Sequence, residues 1–295
     1  MSRPLRARGE LSLTLLTVYR SRLGFSGLLL VLAMALLALL APVLAPSPAQ
    51  GLGLPSPGDE FLPPSAAHPF GTDDLGRDLL SRVLFGARSS LYAGTLVVAL
   101  AFAIGVALGL SAGYAGGSWA RLVSAVVDAF LSFPSLLLAI VLAATIGRGL
   151  EKAILALAAS WWPWYARLSQ VQAGSLARKE YVEAARHMGL PTRRILYRYI
   201  LPSALPPLLV QAMLDIGSAI LEVAALSFLG LGAQPPAPDW GLMLATGRLY
   251  FASYWWVVAF PGLFLVLTIL GFNLLGDVIR ESLDPRLRRT ILLRR

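Results

Sequence analysis

Apolar positions fill long stretches of this chain, and charged residues are confined to the segments between them. No charge occurs in Leu23–Pro57, Ser89–Ala120, Ala129–Gly147 or Leu249–Gly276. Each stretch holds a run near or above the roughly 18–20 residues that a helix needs to cross a bilayer. The pattern predicts an all-α membrane protein with six transmembrane helices. Its spans fall at about Gly24–Leu44, Ser90–Tyr114, Leu122–Gly147, Ala153–Ala166, within Leu201–Leu231, and at Trp255–Gly276. The fourth rests on the shortest uncharged run. The first has basic residues before it, and Ala41-Pro-Val-Leu-Ala45 is cleavage-like. Its apolar run is longer than a signal-peptide core, so it reads as an uncleaved anchor. Between the first two spans, the Pro-, Gly- and Ser-rich segment Ala45–Pro64 reads as an extended linker. Asp73–Phe85, with Leu75, Leu79 and Val83 on one side, reads as an amphipathic interfacial helix on the outer face.

Charge supplies the orientation. With a cytosolic N-terminus, 19 of the 25 Lys and Arg residues lie inside and 6 outside. That asymmetry fits six spans with both termini cytosolic, and deleting the fourth span would misplace either the loop after it or the tail. The net charge of +9 therefore reads as positive-inside charge and not as a nucleic-acid footprint. Composition excludes more. Only 14% of residues are charged, against about 25% in soluble domains. There is no cysteine, and the two histidines, His68 and His187, lie far apart, so no metal or thiol site is expected.

Several residues inside the spans carry chemistry. Gly105, Gly109 and Gly113 share one helical face at four-residue intervals and predict close helix packing. Gly109-Leu-Ser-Ala-Gly113 also matches the G-x-S-x-G pattern of serine hydrolases. That motif needs a strand-to-helix turn with a histidine and an acid nearby, whereas here it ends a membrane helix. A membrane enzyme is opposed on the same grounds. Asp215 and Glu222 lie two turns apart on one face. They either line or gate a pathway, or hold helices together. A self-contained ion-coupled carrier would suit them but would leave the cytosolic loop without a partner. Asp128 reads as structural, near the inner interface. Prolines 134, 163, 206, 207 and 261 predict bent spans.

The loop between spans four and five, Lys179-Glu-Tyr-Val-Glu-Ala-Ala-Arg-His-Met-Gly-Leu-Pro191, reads as a short helix stopped by Gly189 and Pro191. Ala185 and Gly189, at i and i+4, predict a small-residue face that another protein could meet closely. The segment suits a lever joined to the membrane domain, or equally a helix lying on anionic lipid.

Glu183-Ala184-Ala185, then three residues, then Gly189, then Leu201-Pro202, resembles the EAA loop of permease subunits in binding-protein-dependent ABC importers. The chain departs from the usual pattern at Tyr199, where isoleucine is usual. His68-Pro-Phe-Gly-Thr-Asp-Asp-Leu-Gly-Arg-Asp-Leu-Leu-Ser-Arg82 is similar to the segment before span two in the dipeptide/oligopeptide/nickel subfamily. Leu229–Gly241, Phe272–Asp277 and Leu283–Arg286 are similar to its later signatures. The resemblance implies the type-1 transmembrane fold of ABC importers with a cytosolic coupling helix. It divides the chain into a cytosolic segment (1–23), the first transmembrane helix with external linker and interfacial helix (24–87), the permease domain (88–277) and a basic cytosolic tail (278–295). Glu183, Ala184, Ala185, Arg186 and Gly189 would form the ATPase-coupling loop. The implied partners are a second permease in a heterodimer, two cytosolic nucleotide-binding ATPase subunits, an external substrate-binding protein and the bilayer of a bacterial inner membrane. The chain has no P-loop: neither Lys152 nor Lys179 follows the glycine such a loop requires. No cofactor is expected in this chain, ATP being bound by the partners. Peptide is the first expected substrate and nickel or a nickel chelate the second.

Overall fold

The computed structural model describes residue 19 and residues 21–283. Most of the N-terminal segment 1–23, and the tail from residue 284 on with all but Leu283 of the Leu283–Arg286 signature, lie outside the described residues. Among the described residues every regular element is helical, and one isolated bridge joins Thr72 to Asp78. In chain order the helices are α1 (Arg22–Leu44), α2 (Pro48–Gly51), α3 (Leu79–Ala115), α4 (Gly117–Leu131), α5 (Ser135–Ile146), α6 (Leu150–Leu176) and α7 (Glu180–His187). They continue with α8 (Thr192–Ile195), α9 (Leu201–Phe228), α10 (Trp240–Gly247) and α11 (Trp256–Leu283).

Among the described residues, four helical stretches are long and apolar enough to cross a membrane: Arg22–Leu44, Leu79–Ala115, Thr192–Phe228 and Trp256–Glu281. The third predicted span is not one straight helix. α4 and α5 meet at 87°, and together they count as a fifth crossing if the bent pair is one span. Pro134 sits at the break: its ring disfavours helical geometry in the residue before it. α6, which contains the predicted fourth span, is 27 residues long. At 1.5 Å per residue that is about 40 Å, ample for a bilayer. It is too polar, however, to qualify on composition.

The segment between α1 and α3 also differs from expectation. Asp73–Asp78 is a turn, and α3 begins only at Leu79 and runs unbroken to Ala115. There is no separate interfacial helix: Leu79 and Val83 are buried in a core and not laid on lipid. The expected linker is likewise folded, with α2 and a series of backbone-bonded turns. Leu75, the third residue of the expected apolar side, lies in the turn and is exposed, so the helical spacing does not reach it.

A π-helical turn, Leu196–Ile200, joins α8 to α9, and the Leu201 N–H donates to the Leu196 carbonyl. Pro202 explains its position. Proline has no N–H to give, and its ring collides with the carbonyl four residues back. A wider turn just before it relieves that crowding.

Packing divides the chain into two compact units. One is drawn from the described residues up to Thr95, Gly147–Ala153 and the described residues from Met213 on, the other from Leu96–Ile146 and Ile154–Ala212. In the first, α1 packs along α11. Reciprocal glycine notches make this possible: a Cβ on Gly27 would lie 2.6 Å from the Leu275 nitrogen, and one on Gly271 would lie 2.9 Å from the Leu30 Cβ. The core of this unit gathers Leu79, Val83, Ile220, Trp240, Trp256 and Leu265. Its indoles are also bonded: Trp240 Nε1 donates to the Val83 carbonyl at 3.0 Å, and Trp256 Nε1 to the Thr72 carbonyl at 3.2 Å. Phe70 stacks on Phe260 with centroids 4.0 Å apart.

The His68–Arg82 segment is a buried polar knot in the same unit. Thr72, Asp78 and Ser81 are fully buried. Asp78 accepts from the Ser81 N–H at 2.8 Å and hydroxyl at 2.6 Å, and pairs with His68 Nδ1 at 3.0 Å. Asp73 accepts from Arg77 Nε at 2.8 Å. Arg82 reaches the Pro236 and Ala237 carbonyls at 3.4 and 3.3 Å, fastening the start of α3 to the signature Leu229–Gly241. Burial and the neighbouring Asp73 charge push the Asp74 carboxyl above its ordinary range.

Candidate functional site

The second unit carries the predicted coupling segment. α7 begins after Lys179 in extended conformation, with Glu180 and Glu183 in its first turn and Arg186 and His187 in its last. This charge order complements the helix dipole at both ends. The stop is a Schellman motif. The Leu190 N–H donates to the Ala185 carbonyl at 3.2 Å and the Gly189 N–H to that of Arg186 at 3.0 Å. Gly189 adopts φ +73°, open to glycine without strain.

The expected small-residue face separates into two. Val182 and Ala185 are fully buried and seat the helix on its own unit. Glu183, Ala184, Arg186 and Gly189 are exposed, as is Met188. Ala185 and Gly189 therefore do not form one outward face. Ala185 is the helix's inner contact, and Gly189 ends it with nothing within 4 Å of a would-be Cβ. The spacing is the same in either case, and only the packing direction tells them apart.

One contact unanticipated from the sequence holds α7 in place. The Arg186 guanidinium carbon lies 5.3 Å from the centroid of the Tyr114 ring, near the end of α3. An aromatic residue one position after Gly113 was the available signal, but nothing in the sequence pairs it with residue 186.

Gly105, Gly109 and Gly113 all face α6. A Cβ on Gly105 would lie 2.6 Å from the Tyr165 Cβ, and one on Gly113 would lie 2.8 Å from the Ala173 Cβ. One on Gly109 would overlap the Ser169 hydroxyl and the Ala166 carbonyl. Ser169 Oγ donates to the Tyr165 carbonyl at 2.7 Å and lies 3.3 Å from that of Gly105, so a polar contact crosses the seam. Ser111, the would-be nucleophile of the hydrolase-like motif, donates to the Leu108 carbonyl and accepts from Trp119 Nε1. Asp128 is paired with Arg167 of α6, which fits its structural reading.

Asp215 and Glu222 belong to the other unit, on α9. Both are half-buried and both already have interactions. Asp239, also in that unit, caps α10 by accepting from the Leu242 N–H at 2.9 Å. Burial pushes its carboxyl upward, against hydrogen bonds from Leu242, Ser227 and Gly241. No group of metal-ligating residues occurs among the described residues.

Residues 105–289 match the family described as binding-protein-dependent transport system inner membrane component. The dipeptide transport system permease protein DppC of Escherichia coli is 45% identical over 278 residues, covering 92% of this chain and 91% of that protein. The DppC of Alkalihalophilus pseudofirmus is 43% identical, covering 91% of this chain and 88% of its own. The di/tripeptide transport system permease protein DppC of Pseudomonas aeruginosa is 42% identical, covering 90% and 88%. Among solved structures, a chain of the inward-facing MetNI methionine ABC transporter superposes with a TM-score of 0.54 at 23% identity. It covers 69% of this chain and 97% of its own, and it speaks to the fold alone. The chain belongs to the family of binding-protein-dependent transport system inner membrane components, and it is a membrane-embedded permease subunit of an ABC importer, not an enzyme.

Proposed function

We propose that this chain forms half of the translocation pathway for di- and oligopeptides and passes the work of ATP hydrolysis from its partners into the membrane. It pairs with a second permease as a heterodimer. Two cytosolic ATPase subunits bind the ATP, so this chain needs no cofactor, and an external binding protein delivers substrate. The chain crosses the bacterial inner membrane six times with both termini cytosolic, α6 acting as the fourth span and residues 88–277 forming the permease domain. The peptide class is drawn from the names of the relatives, which favour it over the nickel alternative.

The outer surface of α7 is the observation that carries the coupling role. Glu183, Ala184, Arg186 and Gly189 face outward on a helix whose other side, Val182 and Ala185, is locked into the permease. A helix seated in this way transmits a push without detaching. Closure of the ATP-bound subunits around it would turn the permease outward to accept substrate. Asp215 and Glu222 line or gate the pathway, as ionisable groups in spans commonly do.

Ala184→Trp is the direct test of docking. It places bulk on the exposed face and leaves the buried contacts of Ala185 and the glycine stop untouched. Normal membrane insertion with loss of substrate-stimulated ATP hydrolysis in the reconstituted complex is expected. Unchanged stimulation would reject docking through this face. Competition of dipeptides against Ni²⁺ on the co-assembling binding protein tests the substrate class.

A further inference from the structure

The second unit contains a cleft of about 490 Å³ that the coupling role does not use. It is lined by the end of α3 (Ala112, Gly113), Gly116 just before α4, Ala120 in its first turn, and the last turns of α6 with the residues just beyond. Its polar groups are Arg167, Gln170, Ser175 and Arg178, and no carboxylate lines it. Arg167 is paired with Asp128, and Gln170 Nε2 donates to Ser124 Oγ at 3.0 Å. Arg178 makes no ion pair among the described residues. Apart from Val171, the remaining walls are glycine and alanine, which leaves room beside the two cations.

We infer that this cleft binds the phosphate group of an anionic phospholipid from the cytosolic leaflet. Two guanidinium groups offer more donors than one carboxylate, Asp128, can satisfy, and phosphate oxygens match the guanidinium fork. Basic pockets between membrane helices on the cytoplasmic side are suited to acidic headgroups. Neighbouring side chains mark the level of a membrane interface. Val171, on the cleft wall, is largely exposed, and Trp119 stands partly exposed within one turn of Gly116 and Ala120. Tryptophan concentrates where lipid tails meet headgroups. The inference rests on the proposed orientation, which puts Arg167 and Arg178 in the cytosol.

The test uses the full chain with its partner subunits, purified in detergent and offered phosphatidylglycerol, phosphatidylcholine or water-soluble glycerol phosphate. Bound ligand is counted by native mass spectrometry. Phosphatidylglycerol should be retained in preference to phosphatidylcholine. Arg178→Gln should weaken its retention about fivefold, as expected for one arginine near an anionic surface. Arg193→Gln, outside the cleft, should not. Equal retention of the two lipids, or unchanged retention in Arg178→Gln, overturns the site. Glycerol phosphate bound as tightly as the lipid would overturn the lipid source and leave a soluble-phosphate site. Lys179→Cys, in a chain with no cysteine of its own, reports sidedness independently. Its labelling from outside would overturn the cytosolic-leaflet source of the lipid, whereas the retention counts decide the phosphate site itself.

Discussion

Arg186, on the outer part of α7, lies over the ring of Tyr114 near the end of α3, with its guanidinium carbon 5.3 Å from the ring centroid. The contact links the predicted coupling helix to a second element of its own unit. A cation–π contact at an exposed site contributes about 0.5–1 kcal/mol. Tyr114→Leu is therefore expected to lower substrate-stimulated ATP hydrolysis about two- to fivefold with little change in thermal stability, and Tyr114→Phe should keep most of it. ATPase assays on the reconstituted complex decide this. Equal activity of the Leu and Phe variants would show that the ring is dispensable.

Gly189 ends α7 at φ +73° with open space around it. Conformation, not crowding, is what restricts this position. Gly189→Asn should be tolerated, because asparagine enters the left-handed region more readily than other side chains. Gly189→Val should cost on the order of 1–2 kcal/mol in local stability. Hydrogen exchange of the Leu190 amide, bonded to the Ala185 carbonyl, reads the difference. A bulky substitution here would confuse strain with loss of docking, which is why Ala184 is the better probe of the latter.

The seam between α3 and α6 tolerates no side chain at Gly109, where a Cβ would overlap Ser169 and Ala166. Gly109→Ala should destabilise the protein by about 1–3 kcal/mol, the usual range for overpacking. Gly109→Leu should reduce the yield of folded protein severely. Melting curves of the detergent-solubilised complex test this, and a wild-type melting temperature for the alanine variant would mean that the seam yields.

Asp215 is half-buried on α9 and already engaged in an interaction. Asp215→Asn should lower peptide uptake into proteoliposomes more than it lowers the melting temperature. A parallel decline in both would assign the carboxylate to helix packing instead of the pathway.

Asp239 is buried, and its carboxyl is raised above the ordinary 3.8. A raised acid holds its proton in the folded state after the unfolded chain has released it. Its contribution to stability is complete below about 3.8 and declines as pH climbs through the raised folded value. Asp239→Asn should keep the α10 cap and remove that decline. Asp239→Ala should cost about 1 kcal/mol through loss of the cap. Melting temperature against pH for the three proteins would show it, and identical slopes for wild type and Asn variant would refute the assignment.

The amino-acid sequence by itself determined that this is a helical membrane protein, since uncharged runs of such length have no other stable home. It also delimited the short helix α7, because the helix, its stop at Gly189 and the proline after it are local features. The glycine stripe was legible for the same reason: three residues on one face imply a close neighbour whatever that neighbour is. Other matters required the tertiary structure. Leu79 and Val83 have a spacing that suits lipid or protein equally, and only the folded chain shows them under Trp240 and Trp256. Ala185 could face inward or outward at identical spacing, and its burial settles the direction. The 87° bend between α4 and α5 was signalled by Pro134, but proline reports a break and not its angle. The clefts and pairs that join distant residues, Arg186 with Tyr114 and Arg167 with Asp128, were invisible in sequence. Periodicity is a property of one element, whereas a contact is a property of two, and packing alone brings the second into place.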